Sequence, residues 1–368
     1  IVFTVGAPPM EWIETFFGWL GEVCGGALEA ISAPEWVTSL VVDGVIGGVG
    51  GVVVFLPNII IMFFLLAIME GSGYLARVAV LMDRIMHALG LHGKAFIPMI
   101  LGFGCSVPAI MACRTLETER ERKLTMLLTP YMSCGARMPV YLLLVGIFVA
   151  PEFQGLAMFA IYFLGIVVAL IVGFLLRKTI FREGQTEFVL EMPPYRLPTI
   201  KGVLHHTWHN AKEFLVRAGT IIFAACLVVW LLASLPMGVE YGSADSILGM
   251  IGNAIAPFFA PLGFGFMEAA VAIIMGLLAK EVVVGTFGTL YGVGEEALGD
   301  VLVNVFTPLS SFSFMAFVLL YIPCLAALFT IKKESHSWKF TLFAAVLMLA
   351  VAWIVSFIIY QGGLLLGF

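Results

Sequence analysis

The sequence predicts an all-α integral membrane protein, a polytopic helical bundle whose two halves each contain broken or re-entrant helices. Of its 368 residues, 61% are hydrophobic and 12% are charged, whereas an average soluble domain carries about 25% charged residues. A single core in water cannot hide so much apolar surface, but lipid can replace the missing interior. Several long apolar runs are interrupted by Gly and Pro, which is typical of broken membrane helices.

Charge is distributed unevenly along the chain. Residues 1–76 contain no Lys or Arg but seven carboxylates, while basic residues cluster in Arg114–Lys123 and between Arg177 and Arg217. Positive charge accumulates on the cytoplasmic side of membrane proteins. The basic segments are therefore predicted to face the cytosol, and the acidic stretch 7–45 the outside. The net charge of −5 argues against a nucleic-acid partner.

The chain divides into five predicted segments. They are the end of a truncated first membrane helix plus an external amphipathic segment (1–45), a first repeat (46–150), a spanning helix and a cytosolic loop with an amphipathic helix (151–216), a second repeat (217–300), and two C-terminal membrane helices (301–368).

Long apolar runs predict the individual spans within these segments. Spans are predicted over 52–69, 153–176, 218–235, 312–331 and 338–360, and the span 153–176 has no polar interruption. Residues 10–32 instead predict an interfacial helix pair outside the bilayer. The last two spans are predicted to be joined by a short basic turn, Lys332–Lys333.

A weak internal repeat relates the two halves. Gly102 is followed thirteen residues later by Thr115-Leu116, and Gly276 thirteen residues later by Thr289-Leu290, so the displacement is 276 − 102 = 174 residues. Matching interrupted segments in two halves point to a transport site. Chance coincidence among 39 glycines is the alternative interpretation.

The segment Gly102–Pro108 predicts the first helix break. Its glycines loosen the helix, and Pro108 removes a backbone donor. Two interpretations fit this pattern. In the first, Cys105, Ser106 and freed carbonyls face a passing cation that satisfies them. In the second, the helix is kinked and Cys105 only packs.

Two further cysteines lie beside predicted breaks. Cys134 lies in Met132–Arg137 between two prolines, and Cys324 follows a proline in Tyr321–Cys324. A second thiol beside a second helix break favours the interpretation that both thiols line one cavity. Cys24, Cys113 and Cys226 lack such surroundings and are assigned to packing.

Ionisable residues inside apolar runs are functional candidates because they are costly there. Glu70 ends the first complete span, Arg137 lies inside a broken one, and Lys280 and Glu281 lie in the run 269–290. Arg137 either pairs with a carboxylate or caps a broken helix. Lys280 and Glu281 form either a structural pair or a site in which Glu281 supplies an oxygen ligand.

Two other patterns indicate no chemistry. His205 and His209 are spaced to share a helix face, but their basic, Trp-containing surroundings favour an ordinary interfacial helix over a metal site. Gly93-Lys94-Ala95 lacks the Ser or Thr and the upstream Gly of a P-loop. The chain is therefore not expected to be an enzyme that hydrolyses nucleotide.

Several motifs, in order over essentially the whole chain, resemble those of the FeoB family of ferrous-iron transporters. The matching stretches are Val54–Pro57, Glu70–Arg77, Met82–Arg84, Gly102–Glu117, Met132–Arg137, Ala279–Gly285 and Tyr321–Cys324. The two interrupted regions are similar to the paired gate segments of that family, a module also found in nucleoside transporters.

The resemblance implies a function and a setting. Family members carry Fe²⁺ as a substrate into the cytoplasm through the bacterial cytoplasmic (inner) membrane, and hold no permanent cofactor in this region. GTP and Mg²⁺ bind a separate cytosolic GTPase domain. The opening Ile1–Pro9 resembles the end of the first membrane helix. The chain is thus expected to be a fragment lacking that domain. Expected partners are the protein's own GTPase domain, membrane lipid, a small FeoA-type protein and further copies of the chain.

The resemblance also implies that Cys105, Cys134 and Cys324 contribute to the iron path. The predicted metal-contacting set adds Ser106 beside the first thiol and Glu70 and Glu281 as residues that relay or balance charge. Two rival functions remain. One is a gate-repeat transporter of an organic solute such as a nucleoside, and the other is a membrane scaffold that transports nothing.

Overall fold

The structure, a computed structural model, describes residues 2–31, 34–54, 56–88, 91–181, 195–234 and 246–367. These residues form α-helices, short 3₁₀ and π turns and connecting loops, and they contain no β-strand. The predicted all-α class is confirmed. The α-helices are α1 Val2–Ala30, α2 Glu35–Ser39, α3 Gly47–Val54, α4 Leu56–Gly71, α5 Tyr74–Ala88, α6 Phe96–Gly102, α7 Ser106–Ala112, α8 Glu119–Leu128, α9 Met138–Phe148, α10 Gln154–Thr179, α11 Ile200–Phe214, α12 Thr220–Ser234, α13 Ile247–Phe259, α14 Met267–Leu278, α15 Val282–Tyr291, α16 Glu295–Val305, α17 Pro308–Leu320, α18 Leu325–Ser335 and α19 Trp338–Leu365.

The helices are long and apolar enough for a multi-pass membrane protein. Five helical stretches among the described residues can cross a membrane by length and composition: Trp36–Gly71, Glu119–Phe148, Pro151–Thr179, Pro308–Ser335 and Trp338–Leu365. A sixth span arises if α13 and α14, which are bent by 102° at their junction, are counted as one. This bent pair is the kind of broken or re-entrant helix that the sequence predicts.

The chain forms two compact units. Unit 1 comprises Ile1–Val78 and Glu191–Tyr241, and unit 2 comprises Ala79–Leu190 and Gly242–Phe368. The unit boundary lies within α5, so the second half of that helix belongs to unit 2.

Unit 1 begins with one continuous helix where the sequence predicts separate pieces. Helix α1 runs through Pro8 and Pro9, so the predicted division between a membrane stub and an interfacial helix pair over 10–32 is wrong. The two prolines lie in the first third of the helix and remove only their own backbone donors. Apolar helix formers on both sides continue the turn, and Trp12 and Trp19 remain exposed on its surface.

The first apolar span of unit 1 is longer than the predicted 52–69. Helix α2 continues through a π-helical turn, Leu40–Ile46, into α3. Helices α3 and α12 pack together, and the indole Nε1 of Trp230 donates a hydrogen bond to Ser39 Oγ at 2.9 Å. The span predicted over 218–235 corresponds to α12.

The amphipathic helix predicted before that span is α11, which packs against α4 in unit 1. The side chains of His205, His206 and His209 are exposed on it. The middle of the predicted cytosolic loop, 182–194, lies outside the described residues.

In addition to the bent junction of α13 and α14, the described part of unit 2 contains four helix breaks. They separate α6 from α7, α8 from α9, α14 from α15, and α17 from α18. The span predicted over 312–331 lies within Pro308–Ser335 and is broken at Tyr321–Cys324, where the sequence places a proline beside Cys324. Pro323 has no backbone N–H and disfavours a helical conformation at the residue before it.

The internal repeat is visible in the backbone of the first and third breaks. Cys105 has φ −154° and ψ 132°, and Ala279 has φ −149° and ψ 128°. Their separation is 279 − 105 = 174 residues, the same displacement that relates Gly102 to Gly276. The displacement thus joins two equivalent extended residues, each between two helices.

The glycines of the repeat allow close packing against the break that follows. A methyl group on Gly102 would lie 3.0 Å from the Cβ of Met132 and from the carbonyl oxygen of Thr129. A methyl group on Gly276 would lie 2.4 Å from the hydroxyl of Tyr321. Each glycine therefore keeps one broken helix in contact with the next.

The C-terminal helices pack along one another, with α19 against α17. The predicted turn at Lys332–Lys333 is wrong, because both lysines belong to the last turn of α18, where cations complement the helix dipole. The chain reverses instead at His336, whose φ of 51° is left-handed, and Ser337 then caps α19.

Replacing Gly276 tests the close packing of the third and fourth breaks. Gly276→Ala is expected to displace the Tyr321 side chain and to lower the free energy of unfolding by about 1–3 kcal/mol, the usual cost of overpacking. The melting temperature of the detergent-purified protein measures this change. In the control Gly146→Ala the new methyl meets no atom within 4 Å, so stability should be unchanged or slightly higher. Equal melting temperatures for the two variants would contradict the packing described.

Candidate metal site

Each helix break of unit 2 presents one polar side chain at the start of the helical segment that follows it. Cys105 precedes α7, Cys134 precedes the 3₁₀ turn that leads into α9, Glu281 precedes α15, and Cys324 precedes α18. The first N–H groups of a helix carry partial positive charge and favour an anionic side chain nearby. Three thiols and one carboxylate thus occupy equivalent places on four different segments.

These four side chains, here called the cluster, lie within electrostatic range in one region of unit 2, although no three of their ligand atoms, all in the described part of the chain, lie within 4.8 Å of one another. Cys105 lies close enough to Cys324, Cys134 and Glu281 to interact electrostatically with all three, and Cys324 interacts likewise with Cys134 and Glu281. The three cysteines are half-buried, whereas Cys113 is buried. The thiols are therefore gathered in one place with part of each surface still accessible, and do not lie in separate apolar contacts.

Backbone contacts hold the first two breaks together. The N–H of Gly135 donates to the carbonyl oxygen of Gly104 at 3.4 Å. Ser106, predicted as part of the site, is the first residue of α7 and directly follows Cys105 in the chain. Ser106 is buried.

Arg137 caps the second break. Its side chain is fully buried, and its guanidinium donates to the carbonyl oxygens of Met132 at 3.1 Å and Pro130 at 3.2 Å. Of the two readings offered by the sequence, a carboxylate partner or a helix cap, the geometry matches the cap. The charged group satisfies carbonyls that the break leaves without helical partners.

Lys280, which lies at the third break, caps the fourth break as Arg137 caps the second. Its ammonium donates to the carbonyl oxygen of Ile322 at 2.9 Å and lies 3.0 Å from the ring centroid of Tyr321, a cation–π contact. Only 2% of Lys280 is exposed. Ion pairs among the described residues do not include one between Lys280 and Glu281. The direct-pair interpretation of these neighbours is therefore not supported.

These two residues bear on how freed carbonyls are satisfied. For the first break the sequence left open whether a passing cation does so. At the second and fourth breaks the protein's own cations do so. An ion that enters this region therefore meets the Arg137 guanidinium and the Lys280 amino group as well as the thiols.

Polar aromatic side chains surround the cluster, and the sequence analysis missed them. The Ser133 hydroxyl donates to Tyr141 Oη at 3.4 Å, and the Tyr321 hydroxyl donates to the carbonyl oxygen of Ile273 at 3.3 Å. The Tyr162 hydroxyl lies 2.9 Å from the sulfur of Met138. The hydroxyl of a buried Tyr usually has a hydrogen-bond partner. The presence of Tyr inside apolar runs of the sequence could therefore have predicted these polar contacts.

Glu70 is the predicted site residue that lies outside unit 2. It occupies the last turn of α4 in unit 1, with an exposed side chain. The other predicted residues, Cys105, Ser106, Cys134, Cys324 and Glu281, all belong to unit 2.

Thiol and carboxylate side chains can serve as ligands for a divalent transition ion. Thiolate sulfur suits Fe²⁺, and also Zn²⁺ and Cu(I), while a carboxylate adds a hard oxygen ligand. Lys280 is electrostatically coupled to Arg137, Cys134, Cys324 and Glu281.

Paired helix breaks with polar side chains at a shared centre place the chain among the polytopic membrane proteins built from broken-helix repeats. A family model described as gate, nucleoside recognition, matches residues 52–148 and 215–338, and one described as ferrous iron transport protein B C terminus matches residues 158–210. The chain belongs to the FeoB family. No solved structure gives a significant match.

Curated relatives share more than two-fifths of their aligned residues with the chain. An Fe(2+) transporter FeoB from Staphylococcus aureus (strain MSSA476) is 44% identical over 98% of this chain and 54% of its own length. One from Methanocaldococcus jannaschii is 43% identical over 99% and 55%. A fusion of Fe(2+) transport protein A with Fe(2+) transporter FeoB from Porphyromonas gingivalis is 42% identical over 99% and 48%. The chain spans about half the length of these relatives.

Arg137 variants test how the second break is held. Arg137→Met leaves two buried carbonyls without their donor, and an unsatisfied buried polar group costs about 1–3 kcal/mol. Arg137→Lys keeps the charge but loses the planar fork, so its loss of stability should be smaller. Thermal unfolding in detergent should give the order wild type, Lys, Met. Arg84→Met, at an exposed position of α5, serves as the control. An Arg137→Met protein as stable as the control would show that the cap contributes nothing.

Proposed function

We propose that this chain forms the path by which Fe²⁺ crosses the membrane into the cytoplasm. The observation that carries the proposal is the single cluster made by Cys105, Cys134, Cys324 and Glu281, each from a different helix break. A passage for a divalent ion needs ligands that converge from separate elements and yet belong to no closed, permanent metal site. The names of the relatives, Fe(2+) transporter, agree with this use.

The proposed path begins on the outer side. The acidic stretch 7–45, predicted to face outward, raises the local concentration of cations by electrostatic attraction. Exposed carboxylates on α1, such as Glu11, Glu14 and Glu22, contribute to this attraction. The ion then leaves an oxygen-rich surface for a region that supplies sulfur.

At the cluster, Fe²⁺ exchanges part of its water shell for thiol and carboxylate ligands. Metal binding to a thiol releases its proton, so occupation of the site is coupled to proton movement. The ammonium of Lys280 is a tethered cation at the carbonyl of Ile322. Fe²⁺ competes with the field of this group and of Arg137, which keeps its residence in the cluster short.

Ser106 and Glu70 have subsidiary roles in the proposal. Ser106 offers a hydroxyl oxygen next to Cys105 at the start of α7. Glu70, exposed at the end of α4, contributes negative charge that balances the passing ion. Neither side chain is needed for the convergence of the three thiols.

The proposal also places the chain in its setting. The compartment is the bacterial cytoplasmic membrane, and Fe²⁺ is a transported substrate, with no resident cofactor in this chain. GTP and Mg²⁺ are assigned to the cytosolic domain that the family resemblance implies, and transport itself needs no enzymatic site here. The fusion protein of Porphyromonas gingivalis supports a small FeoA-type partner. Assembly into homo-oligomers and contact with lipid complete the proposed partners.

Nucleoside transport is the second candidate, because the matching gate model is described as nucleoside recognition. Recognition of a nucleoside requires amide and hydroxyl groups that pair with its base and sugar. In the cluster, thiols and a carboxylate occupy the four equivalent positions. The relatives, moreover, are named for Fe(2+). A membrane scaffold without transport predicts that the purified chain binds no metal.

Cysteine variants of the full-length protein test the proposed path. Cys105→Ala should lower Fe²⁺ uptake by cells about tenfold or more, since even substitutions behind the ligands of a metal commonly cost 10–100-fold. Cys226→Ala, at a thiol of α12 in unit 1, is the matched control and should leave uptake unchanged. Wild-type uptake by Cys105→Ala would remove this thiol from the path.

Competition separates the two transport candidates. Excess nucleoside should leave ⁵⁵Fe²⁺ uptake unchanged, because nothing in the proposed path pairs with a base. Strong inhibition by nucleoside, together with unchanged uptake in Cys105→Ala, would favour the organic-solute alternative instead.

A further inference from the structure

A second group of metal-ligating side chains lies in unit 2 away from the thiols. Asp83 and His87 are one turn apart on α5, His92 follows in the loop before α6, and Glu121 is in the first turn of α8. One ligand atom from each of Asp83, His87 and His92 lies within 4.8 Å of the others.

The distances are those of side chains that can share one ion. Asp83 Oδ2 lies 4.0 Å from His87 Nδ1, and His92 Nε2 lies 3.6 Å from Glu121 Oε1. Metal–ligand bonds of about 2.0–2.2 Å place two ligands of one ion at most roughly 4.4 Å apart. Side-chain shifts of a few tenths of an ångström would therefore bring Asp83, His87 and His92 onto a common ion. Glu121, which lies outside that set, pairs with His92 and would need a larger shift to join the ion.

The backbone already orients one ligand. The N–H of Gly93 donates to Asp83 Oδ1 at 2.7 Å, which leaves Oδ2 for an ion. Hydrogen bonds of this kind commonly fix the carboxylates that bind metals. A methyl group on Gly93 would lie 2.0 Å from the carbonyl oxygen of Ala79, so the loop is packed directly on α5.

The group is enclosed on one side and open on the other. The side chains of His92 and Glu121 are 12% and 11% exposed, while those of His87 and Asp83 are 46% and 48% exposed. An ion could thus reach the group from the surface and still be held by the less exposed pair.

We propose that Asp83, His87, His92 and Glu121 form a second metal site, for a divalent first-row transition ion bound by nitrogen and oxygen. Imidazole and carboxylate ligands together suit Fe²⁺, Mn²⁺, Co²⁺ and Zn²⁺, and without sulfur they select against Cu(I). The site differs in ligand chemistry from the thiol cluster, so the two can be distinguished spectroscopically.

The location of the site suggests a role as the place that receives the ion after the thiols. Glu121 belongs to the basic segment Arg114–Lys123, which is predicted to face the cytosol. Seven further residues of α8, about 10 Å at 1.5 Å per residue, separate Glu121 from the break that carries Cys134. This role rests on the proposed function, but the existence of the site does not.

Cobalt binding to the detergent-purified chain tests the site. Co²⁺ bound by nitrogen and oxygen gives weak visible bands, whereas Co²⁺ bound by thiolate gives intense charge-transfer absorption at shorter wavelength. Asp83→Asn retains the oxygen that accepts from Gly93 but loses the charge. This variant and His87→Gln, at a half-exposed position, should each weaken the nitrogen–oxygen signal 10–100-fold while leaving the melting temperature close to that of wild type.

The matched control is the double variant His205→Gln with His209→Gln. These two residues are also one turn apart on a helix and exposed, but their helix α11 lies in unit 1. Titration of this variant should give the wild-type nitrogen–oxygen signal. The site is refuted if His87→Gln combined with His92→Gln binds Co²⁺ with that same signal, or if the wild-type chain shows no such signal.

Failure of the thiol cluster would look different. Replacing Cys105, Cys134 and Cys324 together with Ala should abolish the charge-transfer absorption and leave the visible bands intact. A wild-type chain with visible bands but no charge-transfer absorption would contradict sulfur binding in the proposed function and still support the second site.

Discussion

The structure of unit 2 depends on how backbone carbonyls are satisfied where helices break inside an apolar environment. A carbonyl left without a partner there costs several kcal/mol. Arg137 supplies the donors at the second break, and Lys280 supplies one at the fourth. Because Lys280 comes from the third break, this single contact also holds the third break to the fourth. Burying a basic group is costly unless it is well paired. The carbonyls at the breaks supply hydrogen-bond acceptors for Arg137 and Lys280, and these two side chains supply the donors that the carbonyls lack.

The same constraint determines where the thiols lie. Each break ends at the start of a new helical segment, and Cys105, Cys134 and Cys324 occupy the position just before it. Anchoring the breaks to one another therefore brings the three thiols into one region of unit 2. In the proposed function, the basic groups that hold the breaks also limit how tightly an ion binds among the thiols.

Much of this organisation can be predicted from sequence, because Gly, Pro and Cys mark the breaks locally. The displacement between Gly102 and Gly276 predicted the repeat, and Pro323 beside Cys324 marked the fourth break. Contacts between distant segments could not be predicted. Nothing local to Lys280 shows that its ammonium reaches Ile322, 322 − 280 = 42 residues later. The continuity of α1 through two prolines was missed for a different reason. The helical turns on both sides of Pro8 and Pro9 outweigh the tendency of proline to break a helix.

The central claim is that helix breaks gather sulfur around the path of Fe²⁺. It is tested most directly by anomalous scattering from iron-loaded crystals of the full-length protein, grown without oxygen. The account predicts an iron peak among the three sulfur atoms, with at least one iron–sulfur distance near 2.3 Å, roughly that of other metal–thiolate bonds. An occupied iron position within the membrane-spanning helices, distant from all three sulfurs and with the thiols packed against apolar side chains, would contradict it.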